Sequence, residues 1–264
     1  MLMVESENAF NSLNRIAALW NVRVLWPRCS RFLFNTYRGW AALVVRGSDS
    51  LLYSKEGVTQ GDPLSMLMYA VSSLPLISSL NDPTRWTEVW YADDASACGT
   101  LDSLREWFCL LKEKGPKFGY FPKPSKSYLV VDAEHVSQAE EVFSDLGINV
   151  VRGHRLLGGF IGSYSCKRAF VEDLVKKWIS ELECLTKIAT SQPQAAFSAY
   201  TKSMQFQWTF VQRVTPDCQS MFADLETTIW EKFLPIVMGS DISCAERVLP
   251  VSYTHLTLPT NREV

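Results

Sequence analysis

Hydrophobic positions along the chain switch between a helical and a strand-like period. Phe10, Leu13, Ile16, Ala17 and Trp20 recur on one helix face, and Pro27 stands where a first helical turn tolerates proline, so two helices are expected over residues 8 to 37. Ala41 to Arg46 and Leu51 to Lys55 are short β-type runs around Gly47-Ser48-Asp49-Ser50, which predicts a hairpin. Asp62-Pro63 pairs an N-cap residue with proline at a first helical position, and the apolar run behind it predicts a mostly buried helix to about Leu80, with Pro75 as a candidate kink. Trp86 to Ala92 and Ala95 to Cys98 read as strands joined at Asp93-Asp94. Leu101 to Lys114 then reads as an amphipathic helix and Ser127 to Val131 as a strand.

With a strand at Leu2 to Ser6, the order is β-α-β-β-α-β, the split β-α-β pattern of a ferredoxin-like sheet. A helix near Ala133 to Leu146 and a hairpin around Leu156 to Ile161 follow. Lys167 to Met238 reads as helical with breaks near Pro193 and Pro216, so the expected class is α+β with a second, α-helical lobe.

Composition narrows the class without naming a function. The 264 residues are 47% apolar and 20% charged, which excludes a disordered or collagen-like chain and allows one large domain or two modest ones. The longest apolar stretch, Met66 to Ile77, contains Ser72, Ser73 and Pro75 and is shorter than the roughly 18 residues of a membrane helix. The first residues, Met1-Leu2-Met3-Val4-Glu5, lack the basic and apolar blocks of a secretory signal, so an intracellular location, cytoplasmic or nuclear, is expected. Seven cysteines and three histidines are scattered without metal-ligand spacing, which argues against zinc and leaves oxygen donors for any metal.

The net charge of −2 says nothing about a polyanionic partner, but the basic residues cluster. Arg105 to Lys126 holds six Lys or Arg against two Glu, and the first fifty residues hold six Arg against three acids. Solvated helix faces explain each run taken alone.

Two segments carry chemistry. In Tyr91-Ala92-Asp93-Asp94 adjacent carboxylates sit between two strands, where their repulsion calls for exposure or a cation such as Mg²⁺; an isolated Asp-Asp is more often a polar turn. In Gly57-Val58-Thr59-Gln60-Gly61-Asp62-Pro63-Leu64-Ser65 a glycine-rich turn feeds a helix N-terminus, which suits close approach to an anion or a plain cap.

Together these segments resemble the reverse transcriptase palm domain of non-LTR and related retroelements. Gln60-Gly61-Asp62-Pro63-Leu64-Ser65 is similar to that family's motif B, and Tyr91-Ala92-Asp93-Asp94, with Asp93 33 residues after Gln60, is similar to its motif C. Gly119 to Lys126 resembles motif D, Leu157-Gly158-Gly159 resembles the hairpin that grips the primer, and the helices beyond resemble the thumb. Glu5, five residues before Phe10, matches the position of the family's first metal-binding acid, which is usually aspartate.

The resemblance implies a palm over residues 1–164, a thumb over 165–240 and a tail over 241–264. It implies an RNA-directed DNA polymerase using two Mg²⁺ (or Mn²⁺) ions, an RNA template, a DNA primer and deoxynucleoside triphosphates, with no membrane. Glu5, Asp93, Asp94 and the Ser6 carbonyl would hold the metals. Lys126 would supply a proton or charge to the leaving group, and Phe10, Gln60, Gly61, Pro63, Tyr91 and Arg15 would contact nucleotide or template. A fingers region is expected upstream in the intact element, so this chain alone is expected to be weak or inactive. The competing expectation is a catalytically inactive remnant that still binds nucleic acid. The tail around Val251 to Thr260, His255 included, fits no preceding period and is expected to be non-native.

Overall fold

The computed structural model describes residues 1–47 and 50–239, so the tail beyond 240 and part of the Gly47 to Ser50 turn lie outside the described residues. The chain divides into two units, Met1–Val151 and a second beginning at Arg152.

In order along the first unit run β1 (Leu2–Val4), α1 (Ala9–Ser12), α2 (Arg15–Leu25), α3 (Pro27–Tyr37), β2 (Ala41–Val44), β3 (Leu51–Ser54) and α4 (Ser65–Leu80). They are followed by β4 (Trp86–Tyr91), β5 (Asp94–Gly99), α5 (Leu101–Lys114), β6 (Tyr128–Val130), α6 (Val136–Val142) and β7 (Asn149–Val151). Five strands form one sheet in the order β4-β5-β1-β6-β7. β1 is antiparallel to both neighbours, pairing Val4 with Ala95 and Leu2 with Leu129, and β7 joins parallel to β6. All three residues of β1 are buried, as expected of a central strand covered on both faces.

The core beneath the sheet comes from α5 and α4. Leu104, Trp107, Phe108 and Leu111 recur at helical spacing and bury almost completely against Leu2, Leu129, Leu76 and Leu80. Each such side chain contributes about 1.5–3 kcal/mol by leaving water. Thr100 caps α5 by accepting from the Ser103 N–H at 3.3 Å, and Asp102 at its start with Lys112 and Lys114 at its end complement the helix dipole.

Two boundaries beside the chemistry-bearing segments differ from the sequence reading. α4 starts at Ser65, because Asp62 first closes a turn: its Oδ1 accepts from the Leu64 N–H at 2.9 Å, and its carbonyl accepts from the Ser65 hydroxyl at 2.8 Å. Pro75 lies within α4 and does not end it. The β4–β5 turn is Ala92-Asp93, since Asp94 already pairs with Tyr91.

The second unit holds the β8 (Gly153–Leu156) and β9 (Gly159–Gly162) hairpin and then α7 (Tyr164–Ala189), α8 (Pro193–Ala199), α9 (Gln205–Val214), α10 (Ala223–Thr228) and α11 (Leu234–Met238). The division falls after Val151, whereas the sequence reading placed it after residue 164. The hairpin belongs with the helices because Gly158 lies against Phe210 and Gly159 against Val214. Val171, Val175, Trp178 and Leu182 form the buried stripe of α7, which meets Trp208, Phe222 and Phe233. Among the described residues no helix is long and apolar enough to cross a membrane.

Candidate functional site

Glu5 and Asp93, 88 residues apart in sequence, line one cleft at the end of the sheet together with Ser6, Phe10, Gln60 and Lys126. Strand order explains the meeting: β1 is the antiparallel neighbour of β5, so the residue after Val4 comes beside the turn before Ala95. Past β1 the chain continues against the segment that follows α5. The Glu7 N–H donates to the Phe121 carbonyl at 2.8 Å, and the Lys123 N–H donates to the Glu5 carbonyl at 2.9 Å. Ser6 is buried there, its hydroxyl within 3.4 Å of the Phe121 carbonyl.

Two glycines set how closely these segments approach. Gly57 has φ +74°, and a β-carbon on it would stand 2.5 Å from the Phe10 and Asn11 carbonyls. Its N–H donates to Leu13, and the Val58 N–H donates to Phe10 at 2.7 Å. Gly119, at φ +81°, meets the Ser12 carbonyl in the same way, at 2.0 Å from an added β-carbon. The glycine expected to admit a ligand therefore admits the protein's own backbone.

The turn bearing Asp93 is strained. Ala92 has φ +53°, a left-handed conformation that costs a non-glycine residue roughly 1–3 kcal/mol and persists only where the surroundings hold it. The Tyr120 hydroxyl, in a ring only 3% exposed, donates to the Asp93 carbonyl at 2.9 Å. Asp94 is half-buried behind the turn. Burial, followed by the fields of Asp93 and Glu5, holds its carboxyl above the usual range. Lys126 Nζ donates to Glu5 Oε1 at 2.6 Å, and this bond with its charge raises the lysine above its ordinary value.

Phe10 lines the cleft and stacks on Tyr69, with ring centroids 4.7 Å apart at 24°. Burial and then Asp93 and Asp94 push the Tyr69 hydroxyl up. Gln60 is exposed at the cleft, while Gly61, Pro63 and Tyr91 are exposed without lining it. Behind Gln60, the Tyr37 hydroxyl donates to Asp62 Oδ2. Burial and that anion raise Tyr37 to about 12, and Asp62 is lowered in turn.

Arg15 has a different place from the one expected of a nucleotide contact. It is 7% exposed, and its guanidinium donates to the carbonyls of Gly57, Gly39, Ser54 and Glu56 and to the Ser54 hydroxyl at 2.7–3.1 Å. All five of its N–H groups are consumed in tying α2 to the β3 end and the Gly57 turn, so none is left for a phosphate. Tyr120, Tyr69 and Tyr37 were not singled out from the sequence. An aromatic next to a glycine carries no local sign that its hydroxyl reaches a turn 27 residues earlier.

By chemical type, Glu5, Asp93, Asp94 and the Ser6 carbonyl suit a hard divalent cation. The acids share one field, as the raised Asp94 shows, but among the described residues no three acid, histidine or cysteine side chains converge as a finished metal cluster. Glu5 gives Oε1 to Lys126, so an ion held through both Glu5 and Asp93 would take the other Glu5 oxygen or displace the lysine.

No family model and no curated protein matches the chain. Solved structures that it resembles include apo telomerase from Candida Tropicalis, at TM-score 0.49 and 11% identity over 93% of this chain and 47% of that one. Another is apo telomerase from Candida Tropicalis truncated from the C-terminal domain, at TM-score 0.40 and 15% identity over 61% of this chain and 33% of that one. The chain thus spans between a third and about half of the length of these structures.

Proposed function

We propose that the chain is the palm and thumb portion of a reverse transcriptase from a non-LTR-like retroelement. The carrying observation is that Glu5 and Asp93 line one cleft with Phe10, Gln60 and Lys126, which unites residues from four separate motifs. The order β4-β5-β1-β6, every neighbour antiparallel, supports a ferredoxin-like palm. Glu5 and Asp93, with Asp94 behind them, would hold two Mg²⁺ or Mn²⁺ ions, which supply activation of a primer hydroxyl and stabilisation of pyrophosphate. Phe10, backed by Tyr69, offers a flat ring to a sugar, Gln60 offers an amide to a base, and Lys126 places a cation at the cleft once Glu5 is released. The partners are an RNA template, a DNA primer and deoxynucleoside triphosphates.

Oligo-dT extension on poly-rA with Mn²⁺ or Mg²⁺ tests this reading. Extension that falls by roughly 100-fold or more in Asp93→Asn and rises in Glu5→Asp is expected, since small displacements of catalytic groups change rates on that scale. Extension untouched by Asp93→Asn would remove the assignment.

A second reading, an inactive nucleic-acid-binding remnant, has its own support. The Lys126–Glu5 pair occupies one oxygen of the first acid and neutralises its charge. No acid occurs from Asn8 to Gly47, where Arg23, Arg28, Arg31, Arg38 and Arg46 are exposed and Arg23 and Arg38 lie over the Trp20 and Phe34 rings. Arginine and aromatic faces together suit a single strand's phosphates and bases. Salt-sensitive binding of primer-template with no extension selects this reading.

A further inference from the structure

The geometry points to Tyr120 as the positioning residue of the acid pair, a buried phenol whose hydroxyl fixes the tip of the β4–β5 hairpin against the end of β1. Its Oη lies 2.9 Å from the Asp93 carbonyl and 3.4 Å from the Val4 carbonyl, and Val4 is the residue before Glu5. One hydroxyl therefore stands between the main-chain segments that carry both acids. The shorter contact is the hydrogen bond, and the longer one locates the end of β1 next to it.

The ring cannot drift. It is 3% exposed, Trp90 packs edge-on against it at 5.5 Å, and the Tyr120 N–H donates to Gly115 at 3.0 Å. Burial and the surrounding acids hold the phenol in its neutral, donating form. The tie also supports the tip, because Ala92 adopts a left-handed φ that is costly for a non-glycine residue and persists where its surroundings hold it. A bond to the Asp93 main chain fixes where the side chain starts while leaving both carboxylate oxygens free for another ligand.

The consequence for function rests on reading Glu5 and Asp93 as the metal-holding pair, whereas the placement of the tip does not. Tyr120→Phe removes the hydroxyl and keeps the ring. Hydrogen exchange of the amides from 92 to 94 is expected to accelerate about fivefold or more, with the protected amides of α5 unchanged, because one local bond is lost without global opening. Leu111→Ala, in the same core but without contact to the hydroxyl, is the control for general loosening: it should lower the melting temperature without singling out the tip.

Mn²⁺ titration of the full chain is the second arm. Tyr120→Phe is expected to weaken binding several-fold, and Asp93→Asn to abolish it. Tip exchange unchanged in Tyr120→Phe, or equally accelerated in Leu111→Ala, overturns the inference. If Asp93→Asn abolishes Mn²⁺ binding while Tyr120→Phe binds as the parent does, the metal site stands and the positioning role falls. Absence of Mn²⁺ binding in the parent ends the metal reading, and accelerated tip exchange would still establish the tie.

Discussion

Asp62 lies in the turn before α4 and Asp94 opens β5 just behind the Asp93 turn, and their surroundings push their carboxyls in opposite directions. Asp62 receives the Tyr37 hydroxyl on one oxygen and the Leu64 N–H on the other, and these donors hold it below the usual carboxylate range. Asp94 is half-buried, and burial with the charges of Asp93 and Glu5 holds it above that range. The first acid stabilises the fold by being ionised; the second costs stability by being ionised. The turn leading to Gln60 is thus fastened through a side chain, whereas the Asp93 turn is fastened through its main chain by Tyr120 and keeps its charges unneutralised.

The largest effect should come from breaking the Asp62 side at its anchor. Gly57→Ala places a β-carbon 2.5 Å from two carbonyls at a φ of +74°, where neither backbone can yield cheaply. A loss of about 3 kcal/mol or more is expected in denaturant titration, since clash and a forbidden φ combine. A loss below about 1 kcal/mol would mean that the turn does not dock on Phe10 and Asn11.

Tyr37→Phe acts on the same side with a smaller effect. It deletes a hydrogen bond to an ionised acid, for which about 1.5–3 kcal/mol is expected. An alkaline scan sharpens the point. Tyr37 is raised from 10.0 to about 12, so the stability it gives by staying protonated is complete below pH 10 and is lost as pH rises through about 12. The phenylalanine variant should lack this loss, and an identical alkaline limb in both proteins would disprove the Tyr37–Asp62 link.

These contrasts show what the sequence could and could not reveal. α5 was legible to the residue because its apolar period, its Thr100 cap and its terminal charges agree. The start of α4 was misplaced by two residues because an Asp-Pro pair fits both a helix cap and the turn that Asp62 builds. At the site, adjacency of Asp93 and Asp94 was written in the chain, and so was the spacing from Gln60. The job of Arg15 was not, because its partners lie 24 to 42 residues away and an arginine has the same appearance in sequence whether it faces a phosphate or five backbone and hydroxyl acceptors. Tyr120 was hidden for the same reason: only strand order brings the hairpin tip over it.

The smallest expected effect has the reverse sign. Asp94→Asn removes the repelled charge and should stabilise the first unit by about 0.5–1 kcal/mol at neutral pH, a gain of the kind found where a site's charges are relieved. In the parent protein the Asp94 pKa is above 3.8, so its cost is complete at pH values above that raised pKa and disappears as pH falls through it toward 3.8. Asp62 runs the other way: its contribution is complete above 3.8 and is lost only at lower pH, through its depressed value. Acidification from neutrality should therefore first close the gap between Asp94→Asn and the parent, and only then destabilise both as Asp62 protonates. Urea midpoints of the two proteins across that range measure the order directly. A gap that stays constant with pH would show that the Asp94 carboxyl feels no strain from its neighbours. A gap that closes in acid, and also closes at neutral pH when Mn²⁺ is added to the parent, would identify the cation as the partner for which the charge is left unpaired.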